Sequence, residues 1–213
     1  MNLESDIPEQ TVKAVVFDFG NVLSLPQSPG TMAKLASLAG IDEATMTRIL
    51  WAQRGNYDRG IVSGVDYYRA MLASVGKTVP QATLERIVDA DLDSWARLNP
   101  DSLTLAGDAR ALRLKIGILS NMPHEFLRLS RERFPLFKQV DAGIYSCELG
   151  CNKPEPVIYK ALLAALDMDA GSVVFFDDIQ ENVDGARALG IQAFLWTSPD
   201  QARRDLRKLG VAV

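Results

Sequence analysis

The chain has 213 residues, a length that suits one core domain with an insertion. Of these residues 47% are apolar and 23% charged, which is typical of a globular protein. Its 23 basic residues are outnumbered by 27 acidic ones, and the resulting net charge of −4 argues against nucleic acid or a membrane surface as a partner. The N-terminus, with Glu4, Asp6 and Glu9, has no cationic start or apolar signal core, and no run of about 18 apolar residues occurs, so we expect a cytoplasmic protein.

The first predicted element is a buried strand over residues 12–17, a run rich in β-branched and aromatic residues that ends at Asp18. Turn-forming residues at 26–30 then predict a hinge. Beyond the hinge, apolar residues recur at helical spacing in three stretches, 46–53, 67–74 and 84–91. We therefore predict a small helical bundle up to about residue 98.

From Asn99 onward, helical and strand patterns alternate, which predicts a parallel sheet with right-handed crossovers. Ser198 and Pro199 fit the start of a helix, while Gly190 and Gly210 stand where a left-handed residue ends one. The predicted helices are 101–112, 124–133, 155–166, 182–189 and 199–209, and the predicted strands are 115–119, 141–146, 173–177 and 191–196. The fold class is therefore predicted to be α/β.

Cys147 and Cys151 are the only two thiols, and their spacing does not fit a Cys-x-x-Cys redox pair. The single histidine, His124, is too distant in sequence to suggest a zinc site with them. We expect both thiols to stay free, as they usually do in a reducing compartment.

Polar residues stand at or shortly after the ends of four of the predicted strands. Asp18 follows the first strand, Ser120 the second, Lys153 the third, and the pair Asp177 and Asp178 the fourth. Open α/β sheets bind their ligands at this edge, outside the carboxyl ends of the strands. Covalent phosphoryl transfer needs a nucleophile, groups that neutralise phosphate oxygens, and a divalent metal. These residues offer a nucleophile, neutralising groups and carboxylates that can hold the metal.

In this order and spacing, the four strand ends resemble the four motifs of the haloacid dehalogenase-like hydrolase superfamily. Segments 150–159 and 174–186 are similar to the third and fourth motifs of the branch that contains bacterial α-glucose-1-phosphate phosphatases. That branch commonly starts with Asp-x-Gly-Asn-Val, as residues 18–22 do. The resemblance implies a Rossmann-like parallel sheet core with an inserted α-helical cap domain. The implied core domain comprises residues 1–24 and 99–213, and the implied cap domain comprises residues 25–98.

The resemblance also implies roles for the residues at the strand ends. Asp18 would be the nucleophile and would form an aspartyl-phosphate. Ser120 and Asn121, with backbone N–H groups at the start of the following helix, would bind phosphate oxygens. Lys153 would pair with the transferring group and with Asp18. These assignments imply a phosphatase of small phosphometabolites, and we expect sugar phosphates.

Magnesium is the cofactor that the resemblance implies. Mg²⁺ is satisfied by one or two carboxylates together with water, a carbonyl oxygen and the substrate phosphate. Asp178 is the leading candidate ligand, beside Asp18 and the neighbouring Asp177. Gly20 would lend its backbone carbonyl, as the corresponding position does in the family.

The helical cap of such proteins covers the site, and residues 54–60 fall where a cap loop would face the substrate. Arg54 and Tyr57 are therefore candidate substrate-binding residues. A solvated surface position is the alternative reading for Arg54. The sequence does not name the substrate, because specificity depends on the arrangement of cap side chains, and it does not give the oligomeric state.

Gly20 departs from the pattern of most phosphatases in the superfamily. They carry an acid two residues after the nucleophile, which protonates the leaving oxygen and then activates water. Gly20 has no side chain to do this, so the acid/base part of the reaction lacks its usual group. His124 is a candidate substitute, because its unperturbed pKa near 6.5 suits proton transfer. A structural role for His124 remains open.

Two other functions compete with the phosphatase reading. A haloacid dehalogenase would need no acid at Gly20 and would use the same aspartate and lysine. Dehalogenases of the family carry uncharged residues where Asp177 and Asp178 stand, which favours the phosphatase. The second alternative is a non-catalytic protein that binds a phosphate ligand. Retention of Asp18, a nucleophile without use in a pure binder, argues against it.

Overall fold

The structure is a computed structural model that describes residues 12–213. Glu4, Asp6 and Glu9, on which the expectation about the N-terminus rests, lie outside the described residues. Within residues 12–213, none of the helices has both the length and the apolar character needed to cross a membrane. Cys147 and Cys151 are both free and buried.

A five-stranded sheet with all neighbouring strands parallel forms the centre of the fold. In chain order its strands are β1 (Ala14–Phe17), β2 (Lys115–Ser120), β3 (Ala142–Tyr145), β4 (Val173–Asp177) and β5 (Gln192–Leu195). They lie side by side in the order β3-β2-β1-β4-β5, which confirms the predicted α/β class. Phe17, the last residue of β1, pairs with Ile118 on one side and Phe176 on the other, so Asp18 leaves the middle of the sheet.

The two faces of the sheet bury two apolar clusters. Side chains alternate along a strand, so Val15 and Phe17 point to one face and Ala14 and Val16 to the other. Both faces of β1 are fully buried, which explains why its sequence is a continuous apolar run rather than an alternating one.

Five helices occupy the part of the chain between β1 and residue 99. They are α1 (Thr31–Ala39), α2 (Glu43–Leu50), α3 (Arg54–Asp58), α4 (Gly64–Ala73) and α5 (Gln81–Ser94). The sequence predicted α2, α4 and α5 but neither α1 nor α3, the second of which stands where a cap loop was expected. The helix α1 lies between Gly30 and Gly40, two glycines with positive φ. The helix α2 ends at Leu50, so Gln53 lies beyond it in a turn.

The remaining helices alternate with the strands as predicted. They are α6 (Pro100–Ala111), α7 (His124–Arg133), α8 (Leu136–Gln139), α9 (Ser146–Leu149), α10 (Pro156–Leu166), α11 (Gln180–Arg187) and α12 (Pro199–Lys208). The ends of the predicted elements differ from these by no more than two residues. The short helices α8 and α9 were not predicted, because a single turn leaves no periodic pattern in the sequence.

The chain leaves the sheet and returns to it through two hydrogen-bonded segments. The N–H of Leu25 donates to the carbonyl of Arg97 at 2.8 Å, and the N–H of Asn99 donates to the carbonyl of Leu23 at 2.9 Å. The helices α1 to α5 are therefore joined to the sheet by a paired double connection. The division into a core domain and a cap domain at residues 24 and 98 stays a prediction.

Candidate active site

The carboxyl ends of β1, β2 and β4 bring the predicted residues to one place. Asp18 follows β1, Ser120 ends β2 and Asp177 ends β4. Lys153 arrives from the loop after β3 and α9, where Gly150 has a positive φ that turns the chain back toward the sheet. The parallel order of the strands thus converts four distant positions in the sequence into neighbours.

Lys153 lies at the centre of this group and is 4% exposed. Its Nζ is 2.9 Å from Oδ1 of Asp18 and 2.5 Å from Oδ2 of Asp177, and it donates to the carbonyl of Leu119 at 3.0 Å. Burial lowers the pKa of Lys153, but the charges of Asp177 and Asp18 outweigh burial and raise it. The side chain is therefore a fixed ammonium with a full set of acceptors.

Asp18 is buried, and its carboxylate is only partly occupied by protein donors. Oδ1 accepts from the N–H of Phe19 at 2.7 Å and from Lys153. Burial raises the pKa of Asp18 to about 7, although the charge of Lys153 acts in the opposite direction and nearby Asp177 adds to the increase. The desolvated carboxylate can act as a nucleophile, because few hydrogen bonds hold its second oxygen.

Asp177 and Asp178 have different surroundings. Oδ1 of Asp177 accepts from the N–H of Ile179 and from Nδ2 of Asn182, both at 2.9 Å, while Oδ2 holds Lys153. Asp178 is half-buried and accepts from Nδ2 of Asn21 at 2.7 Å through Oδ2. Both oxygens of Asp177 are thus engaged by protein donors, whereas Asp178 keeps one oxygen with no protein donor among residues 12–213.

A metal ion fits this group of carboxylates. Asp18, Asp177 and Asp178 each place an oxygen within 4.8 Å of the other two. Carboxylate and carbonyl oxygens are the ligands that Mg²⁺ prefers. The free oxygens belong to Asp18 and Asp178, so the structure favours these two over Asp177 as ligands. Gly20, the predicted carbonyl ligand, lines the same cavity.

Asn121 lines the cavity, as expected of a substrate-binding residue, but its side-chain amide contacts the loop of Lys153. Its Oδ1 accepts from the N–H of Lys153 at 2.8 Å, and its Nδ2 donates to the carbonyl of Lys153 at 3.1 Å. Both polar ends of the amide are therefore used to fix the loop that carries Lys153. Ser120 lines the cavity beside Asp18, and its hydroxyl slightly opposes the rise in the pKa of that carboxyl.

A cavity of about 470 Å³ opens onto these residues. Its polar end is formed by the strand ends, and the helices between residues 31 and 98 close its other side with Trp51, Arg54, Gly55, Asp58 and Trp95. The volume suits a small-molecule substrate.

Arg54 is buried in the helical segment and is not a solvated surface residue. Its Nε is 3.0 Å from Asp58 and its Nη1 is 2.7 Å from Asp91, and its guanidinium lies 4.9 Å from the centre of the Tyr57 ring. Arg54 lines the cavity, as expected of a substrate-binding residue. Its two ion pairs fix the side chain in place.

Tyr57 differs from its predicted position. It is fully buried and stacks on Tyr67 with ring centroids 5.1 Å apart. Among residues 12–213, it is not one of those that line the 470 Å³ cavity. Residues 54–58 form the helix α3, which turns Arg54 and Asp58 toward the cavity and Tyr57 toward the centre of the helical segment. Sequence reasoning placed the segment correctly but could not tell which of its faces would be buried.

His124 lies outside the cavity of Asp18. It is exposed at the start of α7 and lines a separate cavity of about 820 Å³ together with Gly60 and Arg131. This position does not favour a proton-transfer role at Asp18. At Gly20, an added Cβ would lie 3.7 Å from the ring of Trp95, which is ordinary van der Waals contact, so the indole stands beside the place where an acid would be.

Asn21 and Asn182 are site residues that the sequence analysis missed. Asn21 orients Asp178, and Asn182 orients Asp177. Both lay within segments already quoted for their resemblance, five residues after Asp177 in the case of Asn182. Their amide side chains gave no sign of which carboxylate they would contact.

Comparison with known proteins identifies the family. The sequence profile of the family described as "haloacid dehalogenase-like hydrolase" matches residues 12–190. A protein of Mycobacterium tuberculosis named "Phosphatase MT3486" is 35% identical over 133 residues, which cover 59% of this chain and 60% of that protein. The chain thus spans less than two thirds of this relative's length.

Solved structures agree with the fold. The enzyme BT-2542 from Bacteroides thetaiotaomicron, solved in complex with magnesium and inorganic phosphate, is 18% identical with a TM-score of 0.71, covering 87% of this chain and 94% of that one. The L-2-haloacid dehalogenase RSc1362 is also 18% identical, with a TM-score of 0.69 and 86% coverage of both chains. At such identities the likeness concerns the fold alone. The matched profile, which spans most of the sequence, places this chain in the haloacid dehalogenase-like hydrolase family.

Proposed function

We propose that this hydrolase is a Mg²⁺-dependent phosphatase of small phosphate monoesters that transfers the phosphoryl group to Asp18. The observation that carries the proposal is the contact of Asp18 with Lys153 at 2.9 Å, beside further carboxylates and within a cavity of about 470 Å³. A buried carboxylate with one free oxygen is a nucleophile, and a buried ammonium beside it stabilises the negative charge of a phosphate.

The residues divide the work between reaction and positioning. Asp18 attacks phosphorus, and Lys153 neutralises the oxygens of the group in transfer. Ser120 offers a hydroxyl to a phosphate oxygen. Asp177 and Asn121 position Lys153, because the first holds its ammonium and the second holds its backbone at both the N–H and the carbonyl. The preorganised charges need little rearrangement during the reaction.

Asp18, Asp178 and the carbonyl of Gly20 would hold Mg²⁺. The ion would offset the repulsion between a carboxylate nucleophile and a phosphate dianion. Asn21 fixes the orientation of Asp178 from the side, since its amide donates to Oδ2 at 2.7 Å. The relative named a phosphatase supports this proposal from sequence. The sugar phosphates expected from the sequence stay a prediction.

A haloacid dehalogenase is the second candidate, and the fold of RSc1362 keeps it in consideration. Displacement of halide from carbon needs no divalent cation, and Asp178 would then be a half-buried carboxylate without a partner for its second oxygen. A binding protein without turnover is the third candidate. It would have no use for the desolvated nucleophile at Asp18.

One assay separates the three functions. Purified protein is incubated with acetyl phosphate, phenyl phosphate and sugar phosphates, each with Mg²⁺ or with EDTA, and in parallel with 2-chloropropionate. Release of phosphate that depends on Mg²⁺ is the expected result. Release of chloride that is unaffected by EDTA would establish the dehalogenase. Binding of inorganic phosphate without any turnover would establish the binding protein. The variant Asp93→Asn, at an exposed position outside the cavity, controls for effects of substitution and purification that do not involve the site.

A further inference from the structure

Two tryptophans form the side of the cavity that faces the reacting residues. Helix α2 is followed directly by Trp51, and helix α5 by Trp95. Their ring centroids are 6.4 Å apart with the planes at 77°, and both rings line the cavity of Asp18. Trp51 is 52% exposed, whereas the third tryptophan, Trp196, is 7% exposed and packs against Phe17. The guanidinium of Arg54 also lies 5.7 Å from the centre of the Trp51 ring, yet about half of Trp51 stays exposed and can contact a ligand.

Most polar side chains around the cavity have protein partners, although Oδ1 of Asn152 is buried and has none among residues 12–213. Arg54 and Asp58, the two charged residues that the helical segment contributes, are paired with each other at 3.0 Å. Every asparagine of the lining donates its amide N–H₂ to a protein acceptor: Asn21 to Asp178, Asn121 and Asn152 to backbone carbonyls, and Asn182 to Asp177. A sugar, whose hydroxyl groups each need a partner when they are buried, finds few donors here.

The indole surface favours an apolar group on the substrate, and Gly20 adds a condition on the leaving group. Without an acid at this position, the leaving oxygen departs as an anion, which favours esters whose alcohol bears negative charge well. Nε1 of Trp95 is buried and has no hydrogen-bond partner among residues 12–213. Because this nitrogen is inaccessible, Trp95 offers the cavity an apolar ring surface rather than a donor.

We propose that the substrate is an aryl phosphate, whose aromatic ring packs against Trp51 and Trp95 while its phosphate lies at Asp18 and Lys153. The inference rests on the proposed phosphatase function and names the substrate class of the same site. An aryl group satisfies both conditions, since its ring suits an indole wall and its oxygen leaves readily as a phenolate.

The reaction balances without any further reactant. Asp18 forms a bond to phosphorus as the bond from phosphorus to the aryl oxygen breaks, and the electron pair of that bond leaves on the phenolate. Water then attacks the phosphorus of the aspartyl-phosphate, which restores the Asp18 carboxylate and releases inorganic phosphate and a proton. That proton converts the phenolate into a phenol.

The first test compares substrates in wild type, Trp51→Ala and Trp51→Phe. Acetyl phosphate has a good leaving group but no ring, so it reports phosphoryl transfer without stacking. We expect Trp51→Ala to lower kcat/KM for phenyl phosphate about tenfold more than for acetyl phosphate, and Trp51→Phe to recover most of the loss. Ile61→Ala is the control, because Ile61 is a large apolar residue that is 62% exposed and lies outside this cavity.

Two outcomes of this test would overturn the inference. Equal losses for acetyl and phenyl phosphate in Trp51→Ala would assign Trp51 a structural role. A loss for glucose 1-phosphate as large as that for phenyl phosphate would mean that the indole wall serves a sugar ring.

The second test does not depend on turnover. Phenylphosphonate and methylphosphonate, whose phosphorus–carbon bonds resist hydrolysis, are titrated by calorimetry into wild type and Trp51→Ala in the presence of Mg²⁺. We expect wild type to bind phenylphosphonate about tenfold more tightly than methylphosphonate, and Trp51→Ala to lose the difference. Equal affinities of wild type for phenylphosphonate and methylphosphonate would contradict the inference of an aryl substrate. Tight phenylphosphonate binding without hydrolysis of any phosphate ester would instead contradict the proposed phosphatase function, while still supporting a binding site for an aryl group.

Discussion

At the scale of single residues, Asp18 and Asp177 share one ammonium yet have different surroundings. Asp177 receives three protein donors, whereas Asp18 receives two and faces the cavity. The carboxylate with the larger number of donors is pinned in place, and the other keeps an oxygen free to react. This difference identifies Asp18 as the proposed nucleophile on geometric grounds, in addition to its place in the sequence.

Asp18→Asn should abolish turnover while the protein stays folded. The amide has nearly the same size but is not a nucleophile, so phosphate release should fall by at least about a thousandfold. Lys153 keeps its contact with Asp177 at 2.5 Å, so the buried ammonium is not left unpaired. Phosphate release and thermal unfolding by circular dichroism are the measurements, with Asp93→Asn as the control. Activity within a few-fold of wild type would remove Asp18 from its role.

Asp178→Asn should raise the concentration of Mg²⁺ needed for half-maximal activity by at least about tenfold, because the site loses one of its few formal charges. Activity titrated with Mg²⁺ is the measurement. Asp184→Asn is the matched control on the following helix, since Asp184 is exposed and distant from the proposed ligands. An unchanged Mg²⁺ requirement in Asp178→Asn, or full activity in EDTA, would contradict a metal site and revive the dehalogenase.

The lack of an acid side chain at Gly20 predicts how the rate of hydrolysis depends on the leaving group. A general acid contributes about two to four powers of ten to a rate, so its absence should make kcat/KM fall steeply as the pKa of the leaving alcohol rises. Aryl and acyl phosphates should be hydrolysed faster than sugar 1-phosphates, and these faster than sugar 6-phosphates. The measurement is a series of kcat/KM values against leaving-group pKa at constant Mg²⁺.

The variants Gly20→Asp and Gly20→Asn complete this experiment. Gly20 has a φ of −62°, and an added Cβ meets nothing nearer than the Trp95 ring at 3.7 Å, so the backbone admits a side chain. Aspartate should flatten the dependence, while asparagine, of equal size but without a proton to give, should not. A flat dependence in wild type with chemistry rate-limiting would point to Asp58, a cavity carboxyl outside the proposed metal site.

At the scale of elements, the short helix α3 is held by a buried ion pair. Arg54 on α3 contacts Asp91 on α5 at 2.7 Å, and the Asp91 side chain is 1% exposed. A five-residue helix is too short to be stable by itself, so this contact and the stacked tyrosines around it keep Arg54 and Asp58 at the cavity. The positions of Arg54 and Asp58 at the cavity therefore depend on how α3 packs.

Asp91→Ala should lower the free energy of unfolding by roughly 3 kcal/mol, because removal of one partner leaves a buried guanidinium with less compensation. Asp93→Ala on the same helix is the matched control. Asp93 pairs with Arg133 at 2.9 Å, but both side chains are about half exposed, so its loss should cost less than about 1 kcal/mol. Urea unfolding of both variants is the measurement. Equal costs would show that the Arg54–Asp91 pair does not stabilise the helical segment.

At the scale of the whole molecule, hydrogen bonds tie the helical segment to the sheet domain around the cavity. Arg59 contacts Glu155 at 2.7 Å, Asn152 donates to the carbonyl of Gly55 at 3.0 Å, and the N–H of Gly64 donates to Glu125 at 2.8 Å. These contacts hold the helical segment against the sheet on the side where the cavity of Asp18 lies. That the segment is a mobile lid, hinged at residues 26–30, stays a proposal.

The sequence predicted the sheet well, because the fully buried strands β1 and β4 are continuous apolar runs that each lead directly to an aspartate. Asp18 and Lys153 could be paired in advance only through the resemblance, since no local pattern relates residues so far apart. The position of Tyr57 could not be predicted, because it depends on which face of α3 packs against Tyr67. The wall formed by Trp51 and Trp95 was also not predicted, since it arises only when the ends of two helices meet.

The central claim, a phosphoryl group carried on Asp18, is tested most directly by trapping that group. Wild-type protein is mixed with phenyl phosphate and Mg²⁺, quenched in acid within the first turnover, digested and analysed by mass spectrometry, with Asp18→Asn treated in the same way. We expect a peptide containing Asp18 that carries one additional phosphoryl group and is absent from the variant. Phosphate release by wild type with no modified peptide, when formation of the intermediate is shown to be faster than its hydrolysis, would contradict the account.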